Sequence, residues 1–276
     1  MKLQDKVCLI TGGASGIGRH LAIRCVQEGA QVLVTDINTD ALEGLVQAYG
    51  WSSEQVRWRR LDVREPEAWD AAVDDVVEAW GRLDVALNVA GYLRPGLSHE
   101  ACVTDIDRHL DINIKGVILG TRAAARHMVT QGHGRIINMG SLASLAPVPG
   151  LSLYSTSKFA VRGFSLAVAQ ELAPYGVKVT VVLPDAVRTP MLDLQADDPH
   201  AALTFSGPQP LTVEQVGDLI VGPVLERHPM EIALPLGRGL LARMANLVPS
   251  SSAVLAPLLR HRGTHNQARY TPSHDT

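Results

Sequence analysis

Asp5-Lys6-Val7-Cys8-Leu9-Ile10-Thr11-Gly12-Gly13-Ala14-Ser15-Gly16-Ile17-Gly18-Arg19-His20-Leu21-Ala22-Ile23 is the stretch whose reading decides the fold. A short apolar run, a glycine cluster and an apolar pattern of helical period follow one another, which reads as strand, tight turn and helix. Glycines in such a turn let the backbone approach a pyrophosphate, and the free N–H groups at the start of the helix stabilise its negative charge. Gly12, Ser15, Gly16, Ile17 and Gly18 are therefore candidate cofactor-binding residues. A glycine-rich turn alone is common. Here a second strand, Gln31–Asp36, follows and ends in an acid about 20 residues downstream, as a dinucleotide fold requires. An aspartate at that place accepts hydrogen bonds from ribose hydroxyls and repels a 2′-phosphate, so Asp36 favours NAD over NADP. The competing reading is that Asp36 caps the helix beginning near Asn38.

Outward from this unit, strands and helical patterns alternate along the chain. Strands are expected near Lys6–Thr11, Gln31–Asp36, Val56–Asp62, Val85–Ala90, Arg135–Met139, Lys178–Leu183 and Glu231–Leu234, with helices between them. Right-handed crossovers then give an α/β, doubly wound, seven-stranded parallel sheet with helices on both faces, and ligands at the carboxyl ends of the strands. The 276 residues read as one domain, 1–235, followed by an extension, 236–276.

A second site lies in Leu151-Ser-Leu-Tyr154-Ser-Thr-Ser-Lys158, where a phenol and an ammonium stand four residues apart on one helix face. A free tyrosine titrates near ~10, and an adjacent cation stabilises the phenolate, so the pair offers an acid/base closer to neutral pH. Taken alone, the same pattern describes a core tyrosine beside a solvated lysine.

The motifs taken together resemble the short-chain dehydrogenases/reductases, in their compact single-domain branch, from about Lys6 to Pro235. They are Thr11-Gly12-x-x-x-Gly16-x-Gly18, Asp62-Val63, Asn88-Val-Ala90-Gly91, Asn113, Ser141 and Tyr154-x-x-x-Lys158, in order. The resemblance implies that Tyr154 exchanges a proton with the substrate oxygen while hydride passes to or from the nicotinamide. It implies that Lys158 lowers the tyrosine's pKa and bonds the nicotinamide ribose, and that Ser141 hydrogen-bonds the same substrate oxygen. Asn113 would hold a water linking Lys158 to solvent. Asp62, Val63, Asn88 and Ala90, and the segment Pro184-Asp185-Ala186-Val187-Arg188-Thr189, would contact the cofactor, with Pro184, Val187 and Thr189 on the nicotinamide side. Two departures stand out. Asp185 replaces the glycine that usually follows Pro184; it either favours an oxidised, cationic ring or pairs with Arg188. Val89 stands where the family often has asparagine.

The segments that face substrate in this family, Leu142–Pro149, Tyr92–Pro95 and Ala186–Val187 followed by Met191–Leu192, are mostly apolar here, with Arg94 as the one cation among them. They point to a hydrophobic secondary alcohol or ketone, such as a steroid-like, terpenoid or long-chain compound. The expected activity is an NAD-dependent alcohol dehydrogenase or ketone reductase. An NADPH-dependent ketoreductase is the alternative that Asp36 opposes. A non-catalytic dinucleotide-binding regulator is the one that Ser141, Tyr154 and Lys158 oppose.

Composition sets the remaining bounds. A net charge of −3 gives no electrostatic case for nucleic acid. Cys8, Cys25 and Cys102 lack metal-ligand spacing and read as reduced thiols, and ten histidines form no chelating motif, so no metal site is expected. The start leads directly into the first strand, and no apolar run reaches the ~18 residues of a membrane span, so a cytoplasmic protein is expected. In the extension, Leu240, Leu241, Met244, Leu247 and Val248 share one helical face, and Ile232 to His274 holds no acidic residue but five arginines. This stripe either covers the pocket, packs on another subunit or makes a peripheral membrane contact. Thr264 onward reads as a polar, disordered end. The resemblance implies a homodimer or homotetramer built partly through the Tyr154 helix.

Overall fold

The computed structural model describes residues 3–272. The chain runs β1 (Val7–Thr11), α1 (Gly16–Gln27), β2 (Gln31–Asp36), α2 (Thr39–Tyr49), β3 (Val56–Arg60), α3 (Pro66–Trp80) and β4 (Val85–Asn88). It continues through α4 (Val103–Arg108), α5 (Gly116–Gln131), β5 (Gly134–Met139), α6 (Ser152–Leu172), β6 (Val177–Pro184), α7 (Pro190–Asp193) and α8 (Val213–Leu219). The last elements are α9 (Leu225–Arg227), β7 (Glu231–Leu234), α10 (Leu236–Leu247) and α11 (Pro249–Gln267). The seven strands form one sheet in the order β3-β2-β1-β4-β5-β6-β7, and every pairing is parallel. This is the expected doubly wound α/β architecture.

The central strands are buried along their whole length because both sheet faces are covered: β1 and β4 are buried at every position. One core places Leu21, Ala22 and Cys25 of α1 against Cys8, Ile10, Val32 and Val34. The opposite core places Trp69, Ala72 and Val76 of α3, with Ala124 and Met128 of α5, against Val7, Leu9, Ala86 and Ile136. Trp69 is the largest fully buried side chain; its indole N–H donates to the Val63 carbonyl at 3.0 Å.

Two strands end earlier than the apolar pattern suggested, each for a local reason. The fourth stops at Asn88 because the Val89 and Ala90 amides donate to Thr11 Oγ1, at 3.1 and 3.2 Å, instead of continuing the ladder. The third stops at Arg60 because Asp62 turns the chain, accepting from the Arg64 amide at 3.0 Å. Both events leave the carboxyl ends of β1, β3 and β4 open on one edge of the sheet, where a cleft forms.

The extension packs on the same body. Gly239 of α10 sits against Ala233 of β7, and Ala242 joins the apolar cluster of Leu142, Leu145, Val181 and Leu183. Beyond it, the stretch from Thr264 read as a disordered end is packed on the body as far as Tyr270, with Gln267 8% exposed and Tyr270 Oη donating to Asp193 Oδ1 at 2.6 Å. Glutamine and asparagine amides supply the bonds that the apolar pattern could not reveal. Residues 273–276 of that stretch lie outside the described residues. Among the described residues, no helix is long and apolar enough to cross a membrane.

Candidate active site

Thr11 leaves β1 into a turn whose backbone only glycine suits. Gly12 and Gly16 adopt φ +70° and +52°, the left-handed region that disfavours a side chain. At Gly18 a Cβ would overlap the Gly12 carbonyl, so glycine there allows the first turn of α1 to close on the loop. The start of α1 thereby points its free N–H groups into a continuous cleft of about 1880 Å³. Asp36 closes β2 beside this turn. Its carboxylate accepts from the Ala14 and Asn38 amides at 3.1 and 3.0 Å, while the cap of α2 is Asn38, whose side chain accepts from the Ala41 amide. The capping role considered for Asp36 thus belongs to its neighbour.

The same cleft is lined by Gly12, Ser15, Gly16, Ile17, Gly18, Asp36, Asp62, Val63, Ala90, Ser141, Tyr154, Lys158, Pro184, Val187 and Thr189. Sequence positions up to 177 residues apart are brought together because each follows the carboxyl end of a strand, the rim where an open parallel sheet leaves room. Thr189 also touches the glycine turn: a Cβ on Gly16 would lie 3.1 Å from its methyl carbon. Asp62 is held ionised by Arg64, which donates to both of its oxygens and lowers the acid's pKa.

Asn88 and Asn113 are the exceptions among the predicted site residues. The Asn88 side chain is buried away from the cleft, donating to Asn138 Oδ1 at 2.8 Å and to Thr121 Oγ1 at 3.3 Å. Successive strand residues point to opposite faces, so Asn88 braces β4 against β5 and α5, while Val89, the residue noted as a departure, lines the cleft instead. A cofactor contact at Asn88 would therefore fall to its backbone.

Asn113 sits in a π-helical stretch, His109–Lys115. Its amide is committed: Oδ1 accepts from the Tyr92 amide at 2.7 Å, and Nδ2 donates to the Tyr92 carbonyl at 2.8 Å and to Ser157 Oγ at 2.9 Å. The side chain thereby clamps the segment after Gly91 to α6.

Tyr154, Ser141 and Lys158 converge on the cleft. Ser141 begins a short turn after β5 and accepts from the Ala143 amide at 3.2 Å, while Ser144 Oγ accepts from the Ser141 amide, a reciprocal cap that fixes the serine. Its hydroxyl is near enough to the Tyr154 phenol to act on that group's pKa, in the lowering direction. Lys158 Nζ donates to the Met139 carbonyl at 2.8 Å and lies 5.4 Å from the Tyr154 ring centre. Burial lowers the Lys158 pKa to about 8. Burial also raises the Tyr154 pKa to about 12, against a smaller opposite effect of Ser141. Desolvation of the anion sets the direction of that shift, while the Lys158 ammonium is itself desolvated and donates to a carbonyl.

Asp185 is another correction of partner. It pairs with Arg238 of α10, 53 positions away, and not with Arg188, which stacks over Tyr270 at 5.6 Å. Burial raises the Asp185 pKa, with Arg238 opposing. The expected Asp185 action on an oxidised ring must therefore contend with a cation already beside it. Arg94 likewise meets Asp105, at 3.3 Å. Sequence reasoning missed Ile37, 64% exposed at the rim next to Asp36, and Leu259 of the extension. For the first, position after Asp36 was a usable signal; for the second only the chain's return over the cleft reveals it. Leu241, Met244 and Val248 of the apolar stripe also line the cleft, as the pocket-covering alternative has it.

Comparison with known proteins agrees with this construction. The family model for short chain dehydrogenase matches residues 6–199. A 3-alpha-(or 20-beta)-hydroxysteroid dehydrogenase of Mycobacterium tuberculosis is 38% identical over 215 residues, covering 78% of this chain and 82% of the relative. A 2,5-dichloro-2,5-cyclohexadiene-1,4-diol dehydrogenase of Sphingobium indicum is 36% identical over 190 residues, covering 69% and 76%. A (2S)-[(R)-hydroxy(phenyl)methyl]succinyl-CoA dehydrogenase subunit of Thauera aromatica is 36% identical over 193 residues, covering 70% and 77%. The fold and cleft define a nicotinamide-dinucleotide-dependent oxidoreductase acting on a small molecule. The chain belongs to the short-chain dehydrogenase family.

Proposed function

We propose that the protein transfers hydride between NAD(H) and a hydrophobic secondary alcohol or ketone, of steroid-like, terpenoid or long-chain type. The observation that carries this is the convergence of Tyr154, Ser141 and Lys158 on a cleft whose other wall is apolar: Leu142, Ala143, Val148, Leu192, Leu203 and Met244. A bound nicotinamide would supply the hydride donor or acceptor. The glycine turn and the start of α1 hold its pyrophosphate, and Asp36 holds the adenosine ribose; the carboxylate would repel a 2′-phosphate, which disfavours the NADPH-dependent alternative. Tyr154 exchanges the proton with the substrate oxygen, Ser141 donates a hydrogen bond to that oxygen, and Lys158 favours the phenolate when protonated. A purely regulatory dinucleotide-binding protein would have no need of all three groups together.

Supporting details extend the reading. The names of relatives that act on hydroxysteroids and cyclic diols favour a ring-bearing substrate. Unpaired Cys8, Cys25 and Cys102 suit a cytoplasmic setting. Exposed Leu236, Leu240 and Leu247 on α10 support a peripheral contact with anionic membrane, testable by liposome flotation. Assembly as a homodimer or homotetramer through the Tyr154 helix follows the family's habit and is read by light scattering. The decisive assay is NADH formation from NAD⁺ over a panel of hydroxysteroids, apolar cyclic alcohols and short-chain alcohols, with Tyr154→Phe as control. Turnover of the bulky members with loss in the variant is expected; activity that survives Tyr154→Phe overturns the acid/base assignment.

A further inference from the structure

One wall of the cleft is the stretch 190–207, which contributes Met191, Leu192, Gln195, Leu203, Thr204 and Ser206. It is built of short helical turns and belongs to no strand. Such a segment has little of its own to hold it in place, and its buried carbonyls need donors from elsewhere. Those donors come from the far end of the chain, beyond the residues the family model matches. Gln267 Nε2 donates to the Gln195 and Asp198 carbonyls at 2.7 and 2.8 Å. Asn266 Nδ2 donates to the Phe205 and Gly207 carbonyls at 2.9 and 3.0 Å. Tyr270 Oη donates to Asp193 at 2.6 Å, and its ring lies 5.2 Å from that of Phe205. The close approach is specific: at Gly263 a Cβ would overlap the Ala202 carbonyl.

We propose that Asn266, Gln267 and Tyr270 are positioning residues, forming a C-terminal clasp that holds 190–207 as a ready-made substrate wall and so favours bulky apolar substrates. Each carboxamide offers two donors, and each is matched by two carbonyls of the wall. A helix docked only for general stability would bond to the sheet or to its covering helices; these bonds all fall on the segment that faces the cleft. Arg188 adds a second link, since it stacks on Tyr270 and adjoins Thr189 at the cofactor side of the cleft. A wall ordered beforehand spares a substrate the entropy of ordering it, which raises affinity for ligands large enough to touch it. The specificity part rests on the function proposed above; the clasp itself does not.

The test uses the full-length chain and two variants, Gln267→Glu, nearly isosteric but placing an acceptor against two carbonyls, and the milder Tyr270→Phe. Hydrogen–deuterium exchange reads the wall without requiring activity. In Gln267→Glu, amides of 190–207 should exchange on the order of tenfold to a hundredfold faster, with a smaller rise in Tyr270→Phe, while β1, β4 and β5 hold their protection. Unchanged exchange in 190–207, or an equal rise throughout the chain, overturns the clasp. In steady state, KM for a bulky alcohol should rise about tenfold with kcat within about twofold; a KM that stays constant while the wall loosens overturns the specificity role. A wild-type chain that turns over no alcohol overturns the proposed function, and the exchange result then judges the clasp alone.

Discussion

Lys158→Met should stabilise the protein at neutral pH while abolishing its chemistry. Lys158 is 4% exposed, and burial lowers its pKa from 10.5 to about 8. A depression of that size corresponds to roughly 3 kcal/mol of unfavourable interaction for the charged form. Unfolded lysine keeps its ordinary pKa, so between about pH 8 and 10.5 the unfolded state binds more protons and stability rises with pH; below about 8 the full penalty stands. Methionine fills a similar volume without charge and removes that penalty. It also leaves the Met139 carbonyl without the Lys158 donor, a loss of about 1 kcal/mol. The net expectation at pH 7 is a gain of about 2 kcal/mol, read by urea denaturation of both proteins. At pH 10.5 the folded lysine is neutral and the unfolded one about half protonated, so most of the penalty is gone and the variant should become the less stable by roughly half a kcal/mol. A variant less stable at pH 7, or a difference that does not change with pH, would refute the claim that desolvation governs this ammonium.

Three further expectations follow from named contacts. Asp36→Ser removes the negative charge beside the glycine turn while leaving an acceptor for the Asn38 amide, and the ratio of kcat/KM for NADP⁺ over NAD⁺ should rise at least about tenfold; an unchanged ratio removes Asp36 from cofactor choice. Gly18→Ala pushes a methyl into the Gly12 carbonyl, so NADH affinity, followed by fluorescence titration, should fall by more than about tenfold, whereas Gly44→Ala, open around its Cβ, should leave it unchanged. Trp69→Ala empties the seat between Val63 and Gly120 and should cost about 3–5 kcal/mol in chemical denaturation; a cost below about 1 kcal/mol would mean that α3 repacks freely.

Most of the fold was legible because its signals are local. Apolar runs of strand length, Gly12, Gly16 and Gly18 at a turn, and the acid ending β2 each constrain only a few neighbouring residues. Their order implies parallel strands with crossover helices. The candidate catalytic pair was legible for the same reason: Tyr154 and Lys158 share a helix face by spacing alone. Less legible were the details that depend on which way a side chain leaves its strand or which distant segment meets it. Asn88 lies in a recognisable motif, yet strand alternation turns its side chain toward Asn138 and Thr121.

By itself the amino-acid sequence determined the alternation of strands and helices, the glycine turn, and the pairing of phenol with ammonium, since backbone preference and helical or strand period act over a few residues. Tertiary structure alone decided that Asp185 meets Arg238 and that burial raises the Tyr154 pKa. It alone decided that Asn266, Gln267 and Tyr270 return to brace the cleft wall. Those outcomes depend on solvent exclusion and on contacts between segments far apart in the chain, quantities that exist only once the sheet has assembled and its edges are covered.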